Sequence, residues 1–234
     1  NNNRQGIRFS LSSFGEKFGD LDIQLNHLKQ LESITTKNAE AQALVFDAEA
    51  RILQLQKKLA ESLTRANEAL RVRENPANRL EDQLYLSWIL TAKLYDIIGD
   101  RDRSLALYEK AIASMRRQEI ESVYAVETDY VVLLTKHGNN SEKAREYFKA
   151  ALQHASLIMD LNVRFVTTHT LAQAFLDAHQ TDNTAEAFRE VEKLAATIPD
   201  KAIGDKFVDE ANLCLGSCEF DKKNWRGAVE HYEK

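Results

Sequence analysis

Turn-forming residues are scarce in this chain of 234 residues, which holds two prolines and eight glycines. Many-stranded sheets need frequent turns rich in these residues, so the shortage argues against sandwiches and barrels and predicts long helices with few loops. Cysteine is nearly missing as well. Cys214 and Cys218 are too few for a disulfide framework, and they suit a reducing, intracellular setting, cytoplasmic or nuclear. The longest apolar run is the short stretch 130–134, so no membrane span is expected, and no signal-peptide pattern opens the sequence. The first residue is not methionine, which leads to the expectation of a processed chain with targeting elements outside it. A basic surplus is lacking too. Lys and Arg number 31 against 36 Asp and Glu, a net charge of −5, which disfavours nucleic acid as the main partner.

What is present is ordinary folded-protein chemistry, 44% hydrophobic and 29% charged, which excludes a fully disordered chain. Residues 1–19 carry Gly6, Gly15 and Gly19 and read as a loose lead-in with at most a short helix over 12–18. Residues 20–75 contain neither Gly nor Pro, which predicts helices. Leu25, Leu28 and Leu31 stripe a first helix over 21–34. Asn38 caps a long second helix over 38–74, whose apolar steps of three and four run through Leu44, Ala48, Ile52, Leu55, Leu59, Leu63, Ala66 and Leu70. Glu40 and Glu49 lie early in it and Arg71 and Arg73 late, the order the helix dipole favours, and Pro76 ends it. This element reads either as a cap on the segments that follow or as a coiled-coil-like arm for self-association.

Beyond Pro76 the pattern recurs. Four segments align on a mid-helix marker at Ala92, Val132, Ala172 and Gly216. Each reads as helix, short turn, helix. Gly99-Asp100 and Gly138-Asn139 are the turns of the first two, 179–183 is a polar loop about three residues longer in the third, and 221–224 serves the fourth. Small residues at Ala92, Ala172 and Gly216 admit the paired helix, with Ala144 and Ala228 as reciprocal notches. Tyr108, Phe148 and Tyr232 fill the space toward the next segment. A single hairpin cannot bury its own stripe, so neighbours must cover it.

These marks resemble the tetratricopeptide repeat (TPR), whose pattern is W-x2-L-G-x2-Y, then A-x3-F, A and P. The first segment is similar through Trp88, Ala92, Tyr95, Gly99, Tyr108 and Ala111, and the last through Leu215, Gly216, Ala228 and Tyr232. The resemblance covers 85–234, and more weakly the long helices before. The period of about 40 residues exceeds the 34 of the common form. Longer-helix members such as kinesin light chain or the bacterial peptide-pheromone receptors show similar spacing. The resemblance implies an all-α fold, a right-handed superhelical array of antiparallel helical hairpins, with 1–19 as lead-in, 20–80 as capping or atypical helices and 81–234 as four repeats, the last truncated. It implies that first helices line a concave groove that binds a protein or peptide segment. Its groove positions fall on Ile89, Lys93 and Asp96; on Val126, Asp129, Leu133 and Lys136; on Val166, His169, Gln173 and Leu176; and on Leu213, Ser217 and Phe220. The Lys/Asn clamp of chaperone-binding members is not matched, because Ile89, Lys93, Asp129 and Leu133 stand in its places.

No reaction chemistry is spelled out. Cys214 and Cys218 have no second ligand pair nearby, the six histidines are scattered, and no HExxH, phosphate loop or G-x-S-x-G appears. Neither a metal nor a cofactor is expected. Arg116-Arg117 and Lys222-Lys223 with Trp225 and Arg226 read as turn and helix-end charges rather than basic patches. The leading expectation is a non-enzymatic protein-interaction scaffold in a larger complex. The alternative is a regulator that binds a short peptide and changes curvature, and a helical-repeat enzyme or RNA binder is the reading from another class. The last segment stops at Lys234, inside its second helix, so further chain, a partner or a second copy is expected to cover that end.

Overall fold

The computed structural model describes residues 20–136 and 141–233. All their regular structure is helical, in eleven α-helices with two short 3-10 turns between the third and fourth. They are α1 (Leu21–Thr35), α2 (Ala39–Leu55), α3 (Leu59–Glu74), α4 (Leu84–Ile98), α5 (Arg101–Arg117), α6 (Val123–Lys136), α7 (Ser141–Ser156), α8 (Leu161–Asp177), α9 (Thr181–Ala195), α10 (Lys201–Asp221) and α11 (Trp225–Tyr232). None is long and apolar enough to cross a membrane. The chain divides into two compact units, Asn1–Glu119 and Ile120–Lys234. Unit 1 holds α1 and the hairpins α2/α3 and α4/α5. Unit 2 holds α6/α7, α8/α9 and α10/α11. The expected lead-in over 1–19, its short helix, and the Gly138-Asn139 turn lie outside the described residues.

The helix expected over 38–74 is two helices. Its caps are as expected: Asn38 Oδ1 accepts the Ala41 N–H at 3.0 Å, and α3 ends at Glu74, just short of Pro76. Between them the chain reverses at 56–58, with Lys57 in the left-handed region at φ 61°. Composition hides this break, because Gln56, Lys57 and Lys58 are good helix formers. Tertiary packing overrides propensity. Folding back brings Ala50 and Ala66 into one buried cluster with Leu90 and Leu94 of α4, a burial that one straight helix of about 55 Å could not achieve alone. A helical hairpin, α2/α3, therefore stands where one long helix was expected.

One count governs four of the five hairpins. A buried small residue on the first helix is followed seven residues later by a left-handed residue and twelve later by a small residue on the second helix. The sets are Ala50–Lys57–Ser62, Ala92–Gly99–Ser104, Ala172–His179–Thr184 and Gly216–Lys223–Ala228, with φ of 61°, 87°, 54° and 61° at the turns. Each of these four turns closes with the same pair of backbone bonds. In α2/α3 these run from Lys58 N to Leu53 O at 2.9 Å and from Lys57 N to Gln54 O at 2.9 Å. The 6→1 bond recurs from Asp100 to Tyr95, Gln180 to Phe175 and Asn224 to Glu219. The turn of the third expected segment is thus no longer than the others: α8 ends at Asp177 and α9 begins at Thr181.

Across each hairpin the small residues let backbones approach. Ser62 Oγ donates to the Ala50 carbonyl at 2.7 Å, and Ser104 Oγ donates to the Ala92 carbonyl at 2.8 Å, both across twelve residues. At Gly216 any Cβ would overlap the Tyr232 ring. The large residues Tyr108 and Phe148 are buried, and Phe148 meets Phe175 of α8 edge-on at 5.3 Å between ring centres. Tyr232 departs from the expectation of a filled interior position, for 49% of it is exposed.

In α6 the expected marker Val132 is only half-buried, whereas Val131 and Leu133 on either side of it are buried; Asp129 stays half-buried and Lys136 exposed.

Unit 1 is also tied by buried charge. Arg73 of α3, with no exposed surface, donates to Asp47 Oδ2 of α2 at 2.6 Å and to Ser87 Oγ of α4. Arg65 of α3 pairs with buried Glu49 of α2 at 2.9 Å, with Glu32 of α1 at 3.4 Å and with Glu68 at 2.8 Å. Burial pushes the carboxyls of Asp47 and Glu49 above their ordinary range, with Arg73 and Arg65 pulling the other way.

Candidate functional site

The marker positions of the first helices face their second helices, so the opposite side of α4, α6, α8 and α10 is left outward. Ile89, Lys93 and Asp96 of α4 lie three before, one after and four after Ala92; Lys93 is exposed and the other two half-buried. The same positions around Ala172 are His169, Gln173 and Leu176, all half-buried. Around Gly216 they are Leu213, Ser217 and Phe220, all exposed. Asp129 is half-buried and Lys136 exposed.

Leu133 departs from the expectation of an outward place: it is 3% exposed and belongs to the core. Val126 is buried as well, while Val166 is 61% exposed.

In unit 2 the first helices form one layer. α6 packs on α8. Phe165 of α8 meets Phe207 of α10 at 4.5 Å between ring centres, and His169 stacks on Phe165 at 5.8 Å while its edge lies 5.7 Å from Phe207. His169 Nε2 also reaches Glu210 Oε1 at 3.1 Å. The resemblance put His169 on this face but did not include Phe165, Phe207 and Glu210. The i,i+4 pair Phe165 and His169 was the available signal.

The layer's outer side mixes apolar and polar groups. Val166, Leu213 and Phe220 are 61%, 60% and 53% exposed. Gln173 Nε2 donates to Asp177 Oδ1 at 2.8 Å. Phe220 meets Trp225 of α11 edge-on at 4.9 Å, forming an open aromatic pair. Second helices anchor the layer from behind. His154 Nδ1 of α7 lies 2.8 Å from the buried carboxylate of Glu127 on α6, and His231 Nδ1 of α11 lies 3.0 Å from Asn212 Oδ1 on α10.

Among the described residues no group of three or more His, Cys, Asp and Glu is gathered to hold a metal ion. The Cys214 thiol is pushed up to about 11 by burial and by Glu210, and burial raises Cys218 as well, so neither is a thiolate at neutral pH. Two shallow recesses, of about 470 Å³ and 310 Å³, open at helix ends. The first is lined by Asp20, Leu21, Asp22, Gln56 and Lys58, the second by Ile120, Glu121, Ser122, Tyr124 and Ile158, and neither includes an expected site residue.

No protein-family model and no curated protein matches the sequence. Solved structures do match. BtubC (BKLC) from P. vanneervenii is 14% identical with a TM-score of 0.66, over 97% of this chain and 88% of that one. A putative kinesin light chain from Podosopora anserina with nearly identical TPR-like repeats is 17% identical with a TM-score of 0.64, over 82% and 93%. The apo form of RapI is 16% identical with a TM-score of 0.63, over 96% and 92%. At these identities the likeness is one of fold, and the fold is that of TPR-like helical repeats.

Proposed function

Starting from a TPR-like fold, we propose that this protein is a non-enzymatic interaction scaffold whose first-helix faces hold a peptide segment of a partner protein. The observation that carries this reading is the outer side of the α6–α8–α10 layer, where Val166, Leu213 and Phe220 stand open among polar side chains. Interiors of hairpin stacks bury such residues, and open apolar groups spaced along neighbouring helices suit peptide docking. A fold neighbour also supports it: a Rap protein complexed with competence and sporulation factor, at 16% identity and a TM-score of 0.54. The proposed working place is a reducing, intracellular compartment, in keeping with two unpaired cysteines.

The test is site-specific photo-crosslinking of the full chain in extract of its native source. A crosslinker at Ser217 is expected to give discrete protein adducts, and one at Lys149 on the outer side of α7 is expected to give none of them. Leu213→Asp should abolish the Ser217 adducts while moving the melting midpoint little, since the leucine is already mostly in water. Equal labelling from both sites, or no adduct from either, would sink the reading.

The peptide-responsive alternative draws on the same neighbour. It predicts a changed small-angle scattering profile when a bound peptide is added, and an unchanged profile removes it.

A further inference from the structure

α1 meets α2 as a second helix meets the hairpin that follows it. Elsewhere the fifth and eighth residues of a second helix make that contact. Leu63 and Ala66 of α3 pack with Leu90 and Leu94 of α4, and Phe148 of α7 meets Phe175 of α8. In α1 the same places hold Leu25 and Leu28, which pack with Val45, Ile52 and Leu53 of α2. Another side of a second helix turns to its own first helix. Arg103, third in α5, lies over the Tyr95 ring, and Arg65, seventh in α3, meets Glu49. The eleventh residue, which is Ala69, Ala111, Ala151 or Val191, is 0% exposed, and His154, fourteenth in α7, meets Glu127.

In α1 these four places fall on Ile23, His27, Leu31 and Ile34, within about 80° of one another around the helix. All are exposed, Leu31 to 39% and Ile34 to 74%. α1 is thus a second helix whose first helix is not among the described elements. The count of the other hairpins supplies one from the chain before it. Gln24, fourth in α1 and 6% exposed, stands where Ser62 and Ser104 stand. Five residues before it is Gly19, in the place of Lys57 and Gly99, and twelve before it is Ser12, a small residue in the place of Ala50 and Ala92. Glycine takes the left-handed conformation of that place at no steric cost. Asp20 follows Gly19 as Asp100 follows Gly99, and both cap the helix after them: Asp20 Oδ1 accepts the Asp22 N–H at 2.9 Å, and Asp100 Oδ1 accepts the Arg103 N–H at 3.3 Å. The residue before the marker is buried in α2, α4, α8 and α10, as Glu49, Thr91, Leu171 and Leu215, and before Ser12 it is Leu11. Steps of four, three and four join Ile7, Leu11, Phe14 and Phe18 in one helical stripe.

We propose that the open face of α1 is the seat of the chain's own residues 7–18, which fold back on it from a turn at Gly19 as the first helix of a further hairpin of unit 1. Twelve residues of helix are about 18 Å long, and α1 runs about 17 Å from Ile23 to Ile34, so segment and seat match in length. The pairing of Glu49 with Arg65 puts Leu11, by the same count, beside His27 and Leu31, where it covers apolar surface that α1 leaves in water. Continuity of the chain chooses this occupant. A segment joined directly to α1 is held near it at an effective concentration of about a millimolar, which favours it over a free partner or a second copy.

The experiment is disulfide trapping in the full chain, joined to hydrogen exchange. Ser12→Cys/Gln24→Cys puts two thiols at the pair that matches Ala92 and Ser104, and oxidised glutathione is expected to bridge them within one chain. Mass spectrometry of the linked peptides separates this bridge from any made by Cys214 or Cys218. Ser13→Cys/Gln24→Cys turns the first thiol about 100° away and should bridge at least about tenfold less. Leu11→Asp should speed exchange of the α1 amides about tenfold, whereas Ser13→Asp should leave them unchanged. Circular dichroism checks that both variants keep the rest of their helix. Equal trapping of the two cysteine pairs, or α1 exchange untouched by Leu11→Asp, would overturn the proposal. So would a bridge found only between chains, which would give the seat to the segment of a second copy.

Discussion

Three of the four intra-hairpin turns with a described left-handed residue place a non-glycine there: Lys57, His179 and Lys223, with Gly99 the fourth. An L-residue in this region is held against its own sterics by the backbone bonds around it. Lys57→Gly and Lys223→Gly are therefore expected to stabilise the fold by about 0.5 to 1 kcal/mol each, after glycine's own entropy is counted. Gly99→Ala should cost a similar amount, although no atom crowds its Cβ position. Thermal melts of the three variants check the signs, and a lower midpoint in both lysine variants would show that these turns are not strained. At this scale the sequence was partly legible. Gly99-Asp100 announced its turn, whereas Lys57 carries no turn signal at all, and the chain reverses there only because α3 finds a partner in α2 and α4.

Between helices, what fixes the hairpin is the count of twelve. Ser62 and Ser104 stand at the same step, and each spends its hydroxyl on a carbonyl of the opposing helix. Ser104→Ala removes that bond and leaves the Ala92 carbonyl in its ordinary helical bonding, at an expected cost of about 1 kcal/mol. Ser104→Val adds bulk at a fully buried close approach and should cost more, about 2 kcal/mol. Denaturant midpoints for the pair test the order, and a valine variant as stable as the alanine one would mean that the helices have room to move apart. The periodicity of small and large residues disclosed four hairpins. The α2/α3 hairpin is hidden in the sequence because the apolar stripes of two antiparallel helices joined by three residues continue in step. The repeat resemblance put Leu133 on the outer face, and the apolar run 130–134 carries no signal in type that tells its buried members from its outward one.

At the scale of the whole molecule, charge links stability to pH. Asp47 is kept above its ordinary value near 3.8 because burial outweighs the pull of Arg73, so the folded chain retains a proton that the unfolded chain has already lost. The associated stability is fully present below the ordinary aspartate value and is lost as pH rises through the raised folded one. Glu49 acts in the same direction. Relative to the wild type, Asp47→Asn is expected to gain melting temperature as pH rises from just below 4 toward neutrality. A gap that narrows over that window would mean that Arg73 dominates. Composition announced the all-α class and the acidic balance.

The shared spacing of the hairpins has a consequence for how this protein tolerates change. Two points at matching steps, such as His169 and Leu213, are interchangeable splice sites: cutting the chain at one and rejoining at the other leaves every small residue opposite its notch and every turn in phase. Cuts at any other interval put bulk against bulk. Length in such a chain is therefore quantised, and insertions survive inside it only in whole hairpins or outside the helices altogether.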